Sequence, residues 1–155
     1  MSPQPSEIHE LISARLRESG QLYTTGRRGL VELLLRSGRP VSIPDLLASD
    51  AGLTQSSLYR NLSALEGMGV VRRVVGVEEL SRYELSVDII GHHHHTICTE
   101  CGVVEDFHLP TAAEDALRAA LLAAQAESGF QPASHCVDLL GTCSGCVGSA
   151  DSSVA

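Results

Sequence analysis

The side chains best suited to chemistry are concentrated in residues 92–107, HHHHTICTECGVVEDF. Four consecutive imidazoles come first, then the CxxC pair of Cys98 and Cys101, and then the carboxylates of Glu105 and Asp106. Imidazole, thiolate and carboxylate groups are the protein ligands of transition metals, and thiolates in particular favour Zn(II). This stretch therefore predicts metal binding.

A second CxxC pair near the C-terminus, Cys143 and Cys146, supplies two more thiolates. Two such pairs hold zinc tetrahedrally in a closed, structural site. The 41 residues between Cys101 and Cys143 exceed the spacing of a compact zinc ribbon, so the site would fasten the C-terminal strand to the first hairpin of the second domain. A lone CxxC pair would equally suit a thioredoxin-like redox centre, but two pairs without a βαβ pattern favour zinc.

The run of four histidines can serve two sites if it forms a strand. Neighbouring side chains of a strand point to opposite faces, so His92 and His94 would face one way and His93 and His95 the other. A polar surface strand and the remnant of an engineered tag share this composition, although a tag is usually terminal and longer.

Composition narrows the class of protein. With 155 residues, 43% of them apolar, the chain has room for one ordinary domain or two small ones. It has no apolar run of the roughly 18 to 20 residues that a membrane helix needs, and its first residues show no secretion signal. Five cysteines in such a chain favour metal ligation in a reducing compartment, so we expect a cytoplasmic protein without a membrane partner.

The positive charge is confined to the first half of the chain. Residues 1–83 carry ten Arg and nine acidic residues, whereas residues 84–155 carry Arg118 alone against ten acidic residues. The net charge of −8 therefore does not exclude a nucleic-acid partner, because a local Arg cluster binds phosphate whatever the total charge. Any DNA contact would lie in the first half.

Residues 1–84 have the pattern of a winged helix-turn-helix DNA-binding domain. Apolar residues at helical spacing and N-cap residues predict helices that begin near Ser6, Thr25, Ser42 and Thr54. Two short segments rich in β-branched residues follow, VVRRVV and RYELSV, with a turn at residues 76–79 between them. In such a domain the fourth helix enters the major groove and the hairpin forms the wing beside it.

Candidate DNA contacts lie on that fourth helix and near the start of the second. The residues that could bond bases or phosphates are Gln55, Ser57, Tyr59, Arg60 and Arg28. The alternative is a solvated helix face, because the same side chains are common on exposed helices.

The second half predicts a hinge, a small α/β domain and a tail. Residues 85–91 are the expected hinge, and residues 92–146 are expected to contain three strands and an Ala/Leu-rich helix. Residues 147–155, rich in Ser, Gly and Ala, predict a disordered tail. The predicted fold class is α+β, a winged helix-turn-helix domain followed by a small α/β domain.

Taken together, these segments resemble the ferric-uptake-regulator (Fur) family of bacterial metal-sensing repressors. The resemblance covers about residues 10–146 and is carried by YTTGRRGLVELL, SLYRNLSALEGMGVVRR, RYEL, HHHHTICTECGVVEDF and HCVDLLGTCSGC. It implies a homodimer, with residues 92–146 as its dimerisation domain, that binds a palindromic operator in double-stranded DNA when loaded with metal and so controls metal homeostasis genes. We expect no enzymatic activity, since metalloprotease, acyl-transfer and phosphate-loop motifs are absent from the sequence.

The resemblance also assigns residues to three metal sites. The cysteines of the two CxxC pairs match the ligands of a structural Zn(II). A regulatory site for a divalent metal, either Zn, Fe, Mn or Ni, would take its ligands from His93, His95, Asp106 and one of two competing carboxylates, Glu84 and Asp88. A further site in the dimerisation domain would be formed by His92, His94, Glu114 and His135.

One position departs from the family pattern. Many members take a further regulatory histidine from between the second and third helices, where this chain has Arg39, which stays protonated and cannot bind metal. Glu84 or Asp88 would then have to link the two domains. Two alternative functions stay open: an iron-based peroxide-sensing repressor, in which His93 or His95 is oxidised, and a zinc buffer or chaperone without specific DNA binding.

Overall fold

The chain alternates between helical and sheet elements in two successive domains. The computed structural model describes residues 4–50, 52–75, 81–131 and 135–150. In chain order, the helices and strands of these residues are α1 (Pro5–Glu18), α2 (Thr25–Ser37), β1 (Val41–Ser42), α3 (Ile43–Ser49), α4 (Gln55–Gly67), β2 (Val71–Val75), β3 (Ser81–Leu85), α5 (Val87–Ile90), β4 (His94–Cys98), β5 (Val104–Phe107), α6 (Thr111–Ser128), β6 (Asp138–Gly141) and α7 (Ser144–Ala150). None of the described helices is long and apolar enough to cross a membrane.

Apolar side chains at helical spacing form the core of the N-terminal domain. Helix α1 buries Ile8, Ile12 and Leu16, which recur every four residues and therefore share one face. Helices α2 and α4 contribute apolar residues at similar spacing, among them the fully buried Leu30 and Leu62. This packing holds the three helices together and leaves the opposite face of α4 exposed.

Side-chain caps and one glycine set the helix limits. The hydroxyl of Thr24 accepts a hydrogen bond from the backbone of Arg27 at the start of α2, and Thr54 does the same for α4. Helix α1 begins at Pro5 rather than Ser6, because proline suits the first helical position. Gly38 ends α2 with a φ of 57°, a left-handed conformation that favours glycine.

The predicted wing is present as strands β2 and β3. Together with β1 they form an antiparallel sheet in the order β1-β3-β2. The register places Arg72 of β2 directly opposite Glu84 of β3. The turn predicted at residues 76–79 lies outside the described residues.

The segment predicted as a hinge, residues 85–91, is mostly packed against the N-terminal domain. It ends β3 and then forms α5, whose Ile89 is buried in the core of that domain. The hydroxyl of Ser86 donates a 2.7 Å hydrogen bond to the carbonyl of Gly69. Gly91, with a φ of 97°, follows α5 and leads the chain towards the second sheet.

The second domain has a very small core of its own. Its strands form a sheet in the order β5-β4-β6, with β4 antiparallel to β5 and parallel to β6. The buried apolar cluster beside this sheet consists of Ile97, Val104 and the wing residue Val74. No residue of α6 is buried. Three apolar side chains cannot stabilise a domain of this size, so further stabilisation must come from metal ligation or from another chain.

The structure describes only part of the segment predicted as a tail. Residues 147–150 belong to α7 and are therefore not part of a disordered tail. A turn of helix there follows directly on Cys143 and carries Cys146. Residues 151–155 lie outside the described residues.

Asp45 stabilises the first turn of α3. Its Oδ2 accepts hydrogen bonds from the backbone N–H and the hydroxyl of Ser42, at 3.0 and 2.7 Å. Burial opposes the charged carboxylate, but the Ser42 hydrogen bonds and the positive charges of Arg82 and Arg39 outweigh it and lower the pKa of Asp45.

We expect an Asp45→Asn variant to unfold with a free energy about 1 kcal/mol lower than the wild type at neutral pH, because the capping box is weakened. A depressed folded-state pKa contributes stability above the unfolded-state pKa, and this contribution is lost as the pH falls through the folded-state value. The difference between the two urea midpoints should therefore be constant near neutral pH and shrink as the pH falls below about 4, the ordinary pKa of an aspartate. In a Ser42→Ala background, Asp45→Asn should lower the free energy of unfolding by clearly less, because the hydrogen bond from the Ser42 hydroxyl is already absent. A difference that stays constant with pH would refute this role.

Candidate metal centres

Four side chains from the two domains converge at the first candidate centre, the junction cluster of Glu84, His93, His95 and Asp106. Their ligand atoms all lie within 4.8 Å of one another. The Nε2 atoms of His93 and His95 lie 3.1 and 3.2 Å from the Glu84 carboxylate and 3.9 and 3.8 Å from that of Asp106. Glu84 comes from the wing strand β3, whereas the other three belong to the second domain. The cluster thus joins the domains.

Contacts at the Nδ1 side of each ring orient the imidazoles of the junction cluster. The Nδ1 of His93 donates to the carbonyl of Gly91 at 2.9 Å, and the Nδ1 of His95 lies 3.4 Å from the carboxylate of Asp138. A neutral His93 ring that keeps this proton on Nδ1 has its lone pair on Nε2, the atom through which it would bind a metal in place of its hydrogen bond with Glu84. This tautomer is the one that binds a metal through Nε2.

The junction cluster holds two carboxylates, of which Glu84 is buried and Asp106 is half-buried. Burial raises the pKa of Glu84, but hydrogen bonds from His93 and His95 and the charge of Arg72 outweigh it and bring this pKa to about 2. Burial raises the pKa of Asp106. The buried Oδ1 of Asp106 has no hydrogen-bond partner among the described residues. Two imidazoles and two carboxylates, one with an unsatisfied oxygen, fit a divalent metal ion.

Of the two competing carboxylates, only Glu84 lies in the junction cluster. Asp88 lies on α5 and forms a 2.6 Å ion pair with Arg15 of α1. The helical turn of α5 directs Asp88 towards α1, whereas the strand register of β3 directs Glu84 inwards. Arg39 lines a cavity of about 230 Å³ together with Glu84, His93 and Asp106.

A second set of side chains, the histidine cluster, lies on the opposite face of β4. It consists of His92, His94, Glu114 and His135. The carboxylate of Glu114 lies 3.1, 2.9 and 2.8 Å from the Nε2 atoms of the three imidazoles in that order. The alternation of the histidine run therefore divides it between two clusters, as strand geometry predicts.

The histidine cluster fits a metal less well than the junction cluster. The Nδ1 of His94 accepts a 3.2 Å hydrogen bond from the backbone N–H of Val137, so its ring proton lies on Nε2, next to Glu114. Binding a metal through this Nε2 would move the proton to Nδ1 and break the bond from Val137. Hydrogen bonds from His94 and His135 lower the pKa of Glu114.

The four cysteines of the CxxC pairs form a third cluster. Their sulphur atoms lie within 4.8 Å of one another, and the Sγ atoms of Cys101 and Cys143 are 3.8 Å apart. Backbone N–H groups of Cys101 and Cys143 lower the pKa of Cys98 to about 6, whereas the neighbouring thiols raise the pKa of Cys146 to about 12. Four thiolates so close together repel one another unless a cation lies between them, so this cluster fits zinc. Cys136 is exposed and lies outside it.

The predicted DNA contacts lie on or beside the exposed face of α4. Tyr59 is 52% exposed, and Gln55 and Arg60 are exposed with it. The hydroxyl of Ser57 donates to the carbonyl of Thr54 at 2.8 Å, so it also supports the helix start. The exposed Arg28, on α2, lies with its guanidinium 4.9 Å from the ring centre of Tyr23.

Two residues that sequence reasoning missed contact the junction cluster. Arg72 lies against Glu84 and His93, and Asp138 lies against His95. Arg72 faces Glu84 across the β2–β3 ladder, and Asp138 faces His95 across the β4–β6 ladder. A correct strand register would have found both, but residue types alone do not supply it.

Comparison with known proteins agrees with this geometry. Residues 18–139 match the sequence profile of the ferric uptake regulator family. The chain belongs to this family. It is therefore a DNA-binding transcription regulator and not an enzyme, and the family resemblance predicted from its sequence is confirmed.

Relatives and solved structures of the ferric uptake regulator family cover nearly the whole chain. A peroxide operon regulator of Bacillus subtilis is 28% identical over 144 residues, which are 89% of this chain and 94% of that protein. The Helicobacter pylori ferric uptake regulator, described as having three functional metal-binding sites, matches with a TM-score of 0.71 and 24% identity over 94% of this chain and 95% of its own. A zinc-bound manganese uptake regulator is 26% identical, with a TM-score of 0.62 over 85% of this chain and 98% of its own. The predicted α+β fold class is confirmed.

Proposed function

We propose that this chain is a metal-dependent transcriptional repressor, active as a homodimer in the cytoplasm, that binds a palindromic operator and controls metal homeostasis genes. The observation that carries the proposal is the junction cluster, which links wing strand β3 to the sheet of the second domain through buried side chains. When bound there, a divalent ion (Zn, Fe, Mn or Ni) would supply the positive charge that compensates the buried carboxylate of Glu84 and the half-buried one of Asp106.

The residues of the junction cluster couple metal binding to DNA binding through domain position. Glu84 is rigidly held in the wing sheet, and His95 and Asp106 lie opposite each other on β4 and β5. A metal ion bound to all three residues would restrict movement of the domains around Gly91. It would thereby set the distance between the two α4 helices of a dimer. A 100-fold change in operator affinity needs the fixed arrangement to be favoured by only about 2.7 kcal/mol.

Apolar surface on the second domain supports the homodimer. The exposed apolar residues of α6 and β6 include Leu121, Leu122, Leu139 and Leu140. Within the part of the chain that the structure describes, strand β6 is also an edge of its sheet. Burial of this surface in a second copy would supply the core that the isolated domain lacks.

The other two clusters have separate roles in the proposal. The four-cysteine cluster would hold a structural Zn(II), which ties α7 and the end of β6 to the β4–β5 turn. The histidine cluster would be a weaker metal site of the dimerisation domain, because the tautomer of His94 opposes binding.

The direct test is a DNA-binding assay on the chain's own promoter, with EDTA and with each of Zn(II), Fe(II), Mn(II) and Ni(II). We expect at least one metal to raise operator affinity about 100-fold. Equal affinity in EDTA and in every metal would refute the corepressor model. Failure to protect any promoter from cleavage would instead support the zinc buffer or chaperone.

The peroxide-sensing repressor is the second candidate, and curated relatives named for peroxide response favour it. In that function His93 or His95 would gain oxygen when iron-loaded protein meets peroxide. Mass spectrometry of iron-loaded protein after peroxide treatment distinguishes the two. A gain of one oxygen on either ring, together with release of the operator, supports peroxide sensing, and an unmodified peptide excludes it.

Arg60 is expected to contribute to operator affinity from the exposed face of α4. An Arg60→Ala variant should bind the operator about tenfold or more weakly in saturating metal, since one good base or phosphate contact is worth about 1 to 3 kcal/mol. Fluorescence anisotropy with a labelled operator measures the change. Arg17→Ala removes the same charge from the exposed end of α1 and serves as the matched control. Equal losses in both variants would show a general charge effect rather than a contact by α4.

A further inference from the structure

We propose that Arg72 is an internal competitor of the regulatory metal and thereby sets the metal concentration at which the junction cluster is filled. The proposal rests on the metal-binding role of that cluster given above. Arg72 Nε donates to Glu84 Oε1 at 2.5 Å, and its Nη2 lies 3.2 Å from His93 Nε2. One guanidinium therefore engages two of the atoms that would bind the metal.

The hydrogen-bond pattern makes this engagement exclusive of metal binding. A guanidinium can only donate, so in the neutral ring with its proton on Nδ1 the contact of Arg72 with His93 uses the Nε2 lone pair, at the atom that also lies 3.1 Å from Glu84 Oε2. That lone pair is the one a metal needs, because the Nδ1 of His93 donates to Gly91. A metal that binds Glu84 Oε1 and His93 Nε2 must therefore displace the guanidinium group of Arg72 from both atoms.

The burial of Glu84 strengthens its ion pair with Arg72, and the partial exposure of Arg72 allows a metal to displace it reversibly. Glu84 is 4% exposed, so an ion pair there is poorly screened by solvent. The side chain of Arg72 is 27% exposed, so the guanidinium has a short path into water when it is displaced. In the metal-free protein, Arg72 supplies the positive charge that buried Glu84 requires.

Arg39 offers a matched comparison, because it places the same charge beside Glu84 and His93 without engaging their ligand atoms. Arg39 lines the cavity next to Glu84 and His93. Within the described residues it forms neither a hydrogen bond nor an ion pair with the junction cluster. A loss of charge alone should therefore act similarly at both positions, whereas competition for the ligand atoms acts at Arg72 only.

The test is a Co(II) titration of the full-length, zinc-containing protein against a chelator of known affinity. The absorbance that belongs to the junction cluster is the part that a His93→Ala variant loses. We expect Arg72→Gln to bind Co(II) about tenfold or more tightly than the wild type. Arg72→Lys keeps the positive charge but lacks the paired N–H donors of the guanidinium, so it should bind Co(II) with intermediate affinity. Arg39→Gln should change the affinity by no more than about twofold.

A second measurement follows the guanidinium itself. The Nε–H proton of Arg72 should be protected from solvent exchange in metal-free protein and should lose this protection when diamagnetic Zn(II) is added. Protection that persists at saturating Zn(II) would overturn the proposal, as would an Arg72→Gln affinity equal to that of Arg39→Gln. If His93→Ala removes no absorbance at all, the metal-binding role of the cluster is wrong, and the proposed function fails with it.

Discussion

A Cys143→Ser variant is expected to lose its zinc and, with it, the folded state of residues 92–146. Among the described residues, the second domain has a buried apolar cluster of only three side chains, one of them contributed by the wing, and α6 buries none of its own. Structural zinc in small domains supplies roughly 10 kcal/mol or more of apparent folding free energy, far more than such a core provides. Zinc content, gel filtration and near-ultraviolet circular dichroism should show a metal-poor, expanded chain that no longer forms a dimer.

The control for this variant is Cys136→Ser, because Cys136 is exposed and lies outside the four-cysteine cluster. It should retain one zinc per chain and the melting temperature of the wild type. The N-terminal domain has its own core, so the far-ultraviolet helix signal of Cys143→Ser should fall only in part. A Cys143→Ser protein with full zinc content and an unchanged melting temperature would show that the cysteine cluster is not a structural site.

A Glu84→Gln variant is expected to lose metal-dependent operator binding while remaining a folded dimer. The substitution keeps the shape of the side chain but removes the charge that both histidines and Arg72 contact. Loss of this charged ligand should weaken binding of the regulatory metal 100-fold or more, which corresponds to about 2.7 kcal/mol of binding free energy. Isothermal titration with Zn(II) or Mn(II), followed by anisotropy on the operator, measures both effects.

Asp88→Asn is the matched control, since it makes the same chemical change at the competing carboxylate. Asp88 is 55% exposed and pairs with Arg15, and an exposed pair of this kind is worth about 0 to 1 kcal/mol. Its metal affinity should therefore stay within about twofold of the wild type. A larger loss of metal affinity in Asp88→Asn than in Glu84→Gln would reverse the assignment of the linking carboxylate.

The Cys143→Ser and Glu84→Gln variants distinguish the roles of the cysteines and the histidines in residues 92–107. The cysteines that end β4 and follow it are expected to stabilise the second domain, whereas His93 and His95 are expected to respond to metal. Cys143→Ser should abolish dimer and metal response together. Glu84→Gln should abolish the metal response alone.

Much of the fold follows from local chemistry. The apolar spacing of α1, α2 and α4 and the caps at Thr24 and Thr54 belong to single helices, so they are visible in the sequence. The structure of residues 85–91 is harder to predict from the sequence, because the short helix α5 is positioned by packing of Ile89 against core residues far away in the chain. Residues 147–150 were predicted as a tail for a similar reason, since their composition does not reveal a helical turn beside the cysteine cluster.

The sequence by itself determined the chemical character of the sites. Two CxxC pairs and a run of four histidines specify thiolate and imidazole ligands, and the two-residue period of a strand divides the histidines between two faces. The partners of these ligands were decided only by the tertiary structure. Glu84 rather than Asp88 joins the junction cluster, and Arg72 and Asp138 contact it, because strand register and the direction of α5 depend on packing between segments far apart in the chain.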